Sequence, residues 1–538
     1  ATNRRLISLY MALYKALPNL EGAPRVGTEK DFFGIKNGER CYHSTARMHH
    51  LKAWKMTNFT LEDIEHSRPL DVHRWSDFTA INNLINRMFV QYFQVYFHRT
   101  DAKARAKKHV KVLIIDLFVL TTEDVYKSIG LPMSPKSYQK GSRFRSLHVK
   151  SLMINIVDMA ETAGLIEVWR GTEGISRVSR IRPTKQLLSI FKKANLKKFQ
   201  RQLAQTTKPL ILLRSTDKKL SFQPHELPLS NEDNLQLSKS DLILKEYNAL
   251  LEKTFVDIPD LNSPRITTSR EGKQTSYAVV TQSSKTVYRV FNDLSIESGG
   301  RFYGPFWQQL PKEIRARIYI NDEPTVEIDY SGIHINLIYH CLNIDQKAPT
   351  GDPYEIQLPQ LGINKPKLRR MAKQLMLIAI NAQDLKTALQ AFRAWLVTQK
   401  DLGENLPNLT NKTLKLIIDA LREKHKSIEQ YFFTGLAKSL MTIDSLILEE
   451  LIRVCTSRNI PILTIHDSVI VQLRYAEALD QLMKETYKLV TKKGDIKTDI
   501  LPIKRGLGSI ETGATKKRTK RYLKEQRLHN LLYNGQVT

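Results

Sequence analysis

Two aspartates, Asp329 and Asp467, are the residues whose surroundings most clearly suggest chemistry. Asp329 lies near the end of the apolar, β-branched run Thr325–Tyr330, and Asp467 lies in His466-Asp467-Ser468 between two apolar runs. The second pattern predicts a hairpin with an aspartate at its tip. Carboxylates on separate strands can share two divalent cations about 3.5–4 Å apart, and such oxygen ligands suit Mg²⁺. A single aspartate at a strand end is more often a turn former or cap, so both readings stay open here.

A helix predicted from Asn364 to Asn381 adds positive charge. Apolar residues recur through it at helical spacing, while Arg369, Lys373 and Asn381 lie at multiples of four residues on another face. An arginine and a lysine one turn apart suit a triphosphate. An ordinary surface helix with basic residues would show the same spacing.

The composition indicates which partner such residues would meet. Lys plus Arg number 83 and Asp plus Glu number 54, so the net charge is 83 − 54 = +29. An excess of this size predicts a polyanionic partner, most commonly nucleic acid. No stretch approaches the ~20 apolar residues of a membrane-spanning helix, so we expect no membrane partner. Three widely spaced cysteines predict a reducing compartment, the cytoplasm of a bacterium or of a phage-infected cell.

A second basic region lies in the amino half. A lead-in with Lys140, Arg143 and Arg145 precedes a predicted helix over 149–160, and two strand-like runs follow, separated by the turn 170–174. This order is typical of a winged helix, with Arg177, Arg180 and Arg182 on or after the wing, where they would meet phosphate. A small helix-plus-hairpin domain used for packing alone is the other reading.

In the carboxyl half, the order of motifs resembles the family A DNA polymerases. Gly300-Arg301 and Gln308-Gln309-Leu310-Pro311 are similar to two segments that precede the first palm motif, and Asp329-Tyr330-Ser331-Gly332-Ile333 to that motif itself. Arg369 and Lys373 are similar to the fingers helix. His466-Asp467-Ser468 is similar to the last palm motif, His-Asp-Glu in family A and His-Asp-Ser in phage-type single-subunit RNA polymerases.

The resemblance implies a role for each matching residue. Asp329 and Asp467, with the Tyr330 carbonyl, would bind two Mg²⁺ ions, with Mn²⁺ as a substitute. Arg369 and Lys373 would hold the phosphates of the incoming nucleotide. The expected contacts to the primer or template come from Arg301, Gln308 and His466.

The chain departs from family A where the sugar and base are read. His334 replaces the steric-gate glutamate, and Asn381 replaces the fingers tyrosine. We expect both to contact the nucleotide. A bulky His334 favours deoxynucleotides, whereas Ser468 is the choice of RNA polymerases, so the preferred sugar stays open.

These features predict an α+β multidomain fold: a right-hand polymerase palm built on an antiparallel sheet, with helical fingers, preceded by winged-helix-like and helical regions. We expect a helical basic region at 1–105, a winged-helix-like nucleic-acid-binding domain at 106–204, a linker and thumb-like helices at 205–296, palm at 297–344 and 436–510, fingers at 345–435, and a basic tail at 511–538. The tail is as suited to phosphate as to solvent.

The favoured function is a template-directed DNA polymerase of a phage or mobile element, which uses DNA, or RNA, as template and primer and takes nucleoside triphosphates. Two alternatives stay open. One is a single-subunit RNA polymerase or primase-like synthetase. The other is a replication-initiation DNA-binding protein whose palm has lost catalysis.

Overall fold

The computed structural model describes residues 59–123, 126–171, 178–200, 203, 206–217, 220–268, 276–341, 349, 351–397, 399, 409–492, 494–501 and 518–533. They form a mixed α and β structure of two compact units, an amino-terminal unit up to Lys208 and a carboxyl-terminal unit from Pro209. Within these ranges, none of the helices combines the length and the apolar character needed to cross a bilayer.

Helices and one small sheet make up the amino-terminal unit. Its helices are α1 (Leu61–Glu65), α2 (Thr79–Met88), α3 (Thr100–Thr122), α4 (Leu152–Thr162) and α5 (Lys185–Lys193). Its strands are β1 (Ser67–Pro69), β2 (Ser128–Leu131), β3 (Ile166–Trp169) and β4 (Ser179–Pro183). Strand β1 is parallel to β2, and β4 lies antiparallel between β2 and β3.

One core fills this unit, and it corrects a predicted boundary. Helix α3 runs through the boundary proposed between residues 105 and 106, and its apolar run 112–120 packs with α2, α4 and the sheet. Residues on both sides of 105 therefore share one hydrophobic core. A domain boundary inside a buried helix would expose that apolar surface.

The carboxyl-terminal unit is larger. Its helices are α6 (Asn231–Lys253), α7 (Lys312–Arg315), α8 (Ile333–Cys341), α9 (Lys365–Asn381), α10 (Leu385–Val397), α11 (Asn411–Lys424), α12 (Ala437–Ser457), α13 (Ala476–Thr491) and α14 (Lys520–Tyr533). Its strands are β5 (Ile211–Arg214), β6 (Ser221–Phe222), β7 (Val256–Asp257), β8 (Arg265–Thr268), β9 (Ser276–Val279), β10 (Tyr288–Phe291), β11 (Gly299–Tyr303), β12 (Tyr319–Ile320), β13 (Glu323–Tyr330), β14 (Leu463–Ile465), β15 (Ser468–Gln472) and β16 (Thr498–Leu501).

A six-stranded antiparallel sheet carries both aspartates. Its order is β14-β15-β13-β12-β7. Strand β16 pairs with the carboxyl-terminal half of β13, on the side of β13 that does not pair with β15. Strand β13 buries Val326, Ile328 and Tyr330 in the main core. Because side chains alternate along a strand, Glu327 and Asp329 project together from the opposite face.

Polar residues are frequent from 204 to 240, at the start of the region predicted as a linker and thumb-like helices, yet the described part of this segment is largely structured. Strand β5 pairs in parallel with β10 inside the sheet β11-β10-β5-β6, and α6 begins at Asn231. Ile211 and Leu213 are buried in the main core. This corrects the linker prediction, because two buried apolar side chains outweigh the polar average of the stretch.

The described part of the basic tail is a docked helix. Arg518 forms a fork with Asp322 at 2.8 and 2.9 Å, and Arg521 pairs with the buried carboxylate of Asp257. Tyr522 is fully buried and packs edge-on against Phe255. The prediction of a tail directed at solvent or phosphate is therefore wrong for these residues, since their charges are used within the unit.

Candidate active site

Asp329 and Asp467 lie beside each other at one end of the six-stranded sheet. Asp329 pairs in register with Ser468, the residue after Asp467, and the backbone N–H of Tyr330 donates to the Asp467 carbonyl at 3.4 Å. His466 and Asp467 form the two-residue tip of the β14–β15 hairpin, and His466 adopts a left-handed backbone with φ of 49°. The predicted strand and hairpin are both confirmed.

The carboxylate of Asp329 lies in an unfavourable environment for its charge. Burial, followed by the neighbouring charge of Asp467, raises the pKa of Asp329 to about 7, and Lys373 opposes this increase. Its Oδ1 atom is buried and has no hydrogen-bond partner among the described residues. A carboxylate with a buried, unpaired oxygen is suited to a cation that the chain itself does not supply.

The donor set fits a magnesium ion better than a closed structural metal site. Among the residues that the structure describes, no group of three or more His, Cys, Asp or Glu side chains could hold a metal. Mg²⁺ is commonly bound by one or two carboxylates, with waters and substrate phosphates completing its shell. Tyr330 could contribute only its backbone, since its side chain is buried and its hydroxyl donates to the Met483 carbonyl at 2.8 Å.

A buried ionic cluster beside the aspartates joins two of the predicted contact residues. Asp444 on α12, whose side chain is 1% exposed, binds the Arg301 guanidinium and lies 2.9 Å from Nε2 of His334. Burial alone would lower the pKa of Arg301, but the Asp444 carboxylate, with a smaller contribution from Asp467, raises it. The sequence alone does not single out Asp444, because a polar residue in an apolar helix does not reveal its partners.

The backbone beneath Arg301 is held by a second buried arginine. Arg289, which is 1% exposed, donates from Nε to the Gly300 carbonyl at 2.6 Å and pairs with Glu449. Gly300 has a φ of 80°, and a Cβ there would lie 2.8 Å from Phe291. A glycine is therefore required at position 300. The hydrogen bond from Arg289 holds the backbone next to Arg301 in place.

Two further residues predicted to contact nucleic acid, His466 and Gln308, lie near the β14–β15 hairpin. His466 packs edge-on against Tyr303, and burial followed by the charge of Arg301 lowers its pKa. Its Nδ1 is buried without a hydrogen-bond partner in the described part of the chain. Gln308 instead donates its amide to the carbonyls of Phe302 and Thr464, at 3.2 and 3.0 Å. The structure thus gives Gln308 an internal bracing role, and its contact with nucleic acid stays a prediction.

Helix α9 has the predicted extent and orientation. The Asn364 side chain caps it by accepting from the Lys367 N–H at 2.9 Å. Arg369, Lys373 and Asn381 are exposed, and their opposite face is buried. Lys373 lies 5.5 Å from the Tyr354 ring, and its charge acts on Asp329. Arg369 pairs with Asp352, while Asn381 donates to the Leu377 carbonyl at 2.7 Å.

Two of the three predicted wing arginines, Arg180 and Arg182, are among the described residues. Arg177 lies outside the described residues. Arg180 is directed at backbone carbonyls, including that of Ile64 at 3.2 Å. Arg182 binds Glu167 and Asp63 at 2.7 and 3.0 Å. Both described guanidinium groups are therefore used internally, and their phosphate contacts stay predictions.

Unpaired basic residues lie instead in the segment that leads into α4. Between Asp124 and Asp158 the sequence contains no acidic residue. Within residues 136–150 of this segment the exposed basic side chains are Lys136, Lys140, Arg143 and Lys150, and no ion pair to an acid is found for them among the described residues. Sequence reasoning favoured the wing because a charge count cannot distinguish paired from unpaired arginines.

No protein-family profile and no curated protein matches the chain. Among solved structures, the chain is similar to the POL domain of Pol1 from M. smegmatis in complex with DNA primer-template and dNTP. The sequence identity is 10% and the TM-score is 0.28, covering 85% of this chain and 71% of that chain. This similarity is distant, so the function has to be inferred from the residues of this chain.

Proposed function

We propose that this protein is a template-directed nucleotidyltransferase that extends a 3′-hydroxyl, with DNA as its main substrate. The observation that carries the proposal is the convergence of Asp329 and Asp467 on one end of an antiparallel sheet, where one buried oxygen of Asp329 has no hydrogen-bond partner among the described residues. In this proposal the sheet is a polymerase palm, and α9 belongs to the fingers.

Asp329 and Asp467 would hold Mg²⁺, or Mn²⁺ in its place. When bound, the metal ions would activate the primer hydroxyl and neutralise charge on the triphosphate. Phosphoryl transfer asks little covalent chemistry of the protein, so positioning and charge stabilisation are the main contributions of its side chains. A bond forms between the primer 3′-oxygen and the α-phosphorus, and pyrophosphate leaves.

The surrounding side chains would orient the two substrates. Lys373 is exposed and close enough to influence Asp329, so it can meet the triphosphate without first breaking a salt bridge. Arg369 would break its salt bridge with Asp352 and bind a phosphate instead. Arg301 and His334, held by Asp444, would face the primer terminus or the sugar of the nucleotide.

The amino-terminal unit would bind the nucleic acid. The order α3, β2, α4, β3, β4, with β4 between β2 and β3, supports a winged-helix-like module. In this proposal, phosphates meet the basic segment 136–150 before they meet the wing, because its exposed charges have no acidic partner to give up in the part of the chain that the structure describes.

The test is nucleotide incorporation on a primed template. Wild-type protein with Mg²⁺ is offered labelled deoxynucleotides and ribonucleotides separately, with and without primer. We expect primer-dependent extension that is lost in Asp329→Asn and Asp467→Asn. Extension by both variants at the wild-type rate would refute the assignment. Salt-sensitive DNA binding without incorporation under any divalent metal would instead favour a catalytically inactive DNA-binding protein.

A further inference from the structure

A third carboxylate lies directly behind the two aspartates. Glu327 projects from the same face of β13 as Asp329, two residues earlier, and is 9% exposed. It receives a two-pronged contact from Arg315, with Nε to Oε2 at 3.0 Å and Nη2 to Oε1 at 2.8 Å. The hydroxyl of Ser468 donates to the same Oε1 at 2.8 Å.

The contact from Ser468 links the two strands that carry the aspartates. Ser468 follows Asp467 directly, and its hydroxyl also lies 3.3 Å from the Ile465 carbonyl on the other side of the hairpin tip. Glu327 is therefore joined through one hydroxyl to the turn that presents Asp467. On its own strand, Glu327 is separated from Asp329 by one residue.

Arg315 explains how a third carboxylate can be accommodated here. Its guanidinium also donates to the Leu310 carbonyl at 3.1 Å, so the arginine is anchored independently of Glu327. The fork offsets much of the charge of Glu327 and fixes its rotamer, so that its Oε1 atom can also accept from Ser468. An unpaired third carboxylate would repel both aspartates.

We propose that Glu327 is a positioning residue of the metal site, a clamp that sets the separation of Asp329 and Asp467 by holding Ser468. This inference rests on the proposed function, because it assumes that the two aspartates bind the metal. Groups that orient metal ligands typically change metal affinity or activity by about 10- to 100-fold when they are removed. A salt bridge that served only to stabilise the fold would leave metal affinity unchanged.

The test measures Mn²⁺ binding directly, by the loss of the free-ion signal in electron paramagnetic resonance, on the full chain without nucleotide or DNA. We expect Glu327→Ala and Ser468→Ala each to weaken binding by about 10-fold or more. The double variant should bind no more weakly than the weaker single variant, since both remove one clamp. Glu327→Gln keeps one acceptor oxygen for Ser468 but can accept only one of the two Arg315 contacts, so its loss of affinity should be smaller than that of Glu327→Ala.

Asp257→Ala is the matched control. Asp257 lies on the edge strand β7 of the same sheet and is a buried carboxylate bound by an arginine, as Glu327 is. We expect this variant to unfold more easily in denaturant while it binds Mn²⁺ like the wild type. Ser468→Ala removes only a hydroxyl, so it should fold even if Glu327→Ala does not.

The outcomes separate the clamp from the proposed function. Wild-type Mn²⁺ affinity in Ser468→Ala, or equal losses in Glu327→Gln and Glu327→Ala, would overturn the clamp. If Asp329→Asn and Asp467→Asn also bind Mn²⁺ like the wild type, the metal site itself is wrong. If those two variants lose binding while the Glu327 and Ser468 variants keep it, only the clamp fails.

Discussion

Replacing Asp329 by asparagine should stabilise the protein while it abolishes nucleotide incorporation. In the absence of metal, the ionised carboxylate is partly buried, lies near Asp467 and has one buried oxygen without a hydrogen-bond partner among the described residues. Asparagine has nearly the same shape but cannot ionise. An increase in stability is the expected sign because a partly buried carboxylate beside a like charge costs the folded state free energy.

The magnitude follows from the pKa. The pKa of Asp329 rises from 3.8 to about 7, and each pH unit of difference is worth about 1.4 kcal/mol, so at pH 8 the ionised form costs the folded state roughly 4 kcal/mol at most. Between these two pKa values the folded state binds more protons than the unfolded state. Stability from this group therefore falls as pH rises from 4 to 7. At pH 5 the cost should be only about 1–2 kcal/mol.

The assay is urea unfolding of wild type and Asp329→Asn at pH 5 and pH 8, with chelator present throughout. The difference between the two proteins at each pH isolates this group, since the other titrating groups are common to both. We expect the variant to be more stable, and by more at pH 8. Asp444→Asn is the control, and it should lose about 1–3 kcal/mol because it weakens the contacts of Arg301 and His334. A variant less stable than wild type at pH 8, or a gain that does not depend on pH, would refute the reasoning.

Three further predictions concern basic side chains. Lys373→Ala should lower kcat/KM for the nucleotide by about 10- to 100-fold, as expected for one charge-assisted contact. The rising limb of its pH–rate profile should move to higher pH, because Lys373 lowers the pKa of Asp329. An unchanged pH–rate profile would contradict this prediction. Arg521→Ala leaves a buried carboxylate unpaired and should cost about 3–5 kcal/mol, with faster amide exchange in α14 as the readout. Removal of four basic side chains from 136–150 should reduce the salt dependence of DNA binding by about 0.9 per lost phosphate contact, whereas removal of four lysines from 192–198 should change it less.

The sequence predicted the elements of the site well because each has a strong local signal. Alternation with a period of two identified β13 and the hairpin at Asp467, and the 3.6-residue period identified α9 with nearly its observed ends. These patterns arise from burial of one face, which acts over a few residues. The choice of Asp329 and Asp467 as neighbours depended on the order of motifs, because they are far apart in sequence.

The partners of charged residues could not be predicted in the same way. Asp444 lies more than a hundred residues from Arg301 and His334, and Glu327 is joined to Ser468 from another strand. No spacing rule relates residues brought together by tertiary packing. Average composition also failed at 204–240, where the short apolar run 210–213 forms a partly buried strand although polar residues flank it on both sides.

The pairing of charges distinguishes the acids that the chain neutralises itself from the acid that it leaves without a salt bridge. Asp444, Glu327 and Asp257 are each buried against an arginine, so a side chain of the protein compensates the charge of each carboxylate. Asp329 has no salt-bridge partner among the described residues, and the lysine that offsets its charge comes from the exposed face of α9. In a chain with a net charge of +29, cations are abundant, so a carboxylate left unpaired in the sheet is not explained by a shortage of them. A cation supplied from outside the chain would relieve this arrangement, and it would do so where a hydroxyl and a triphosphate could meet.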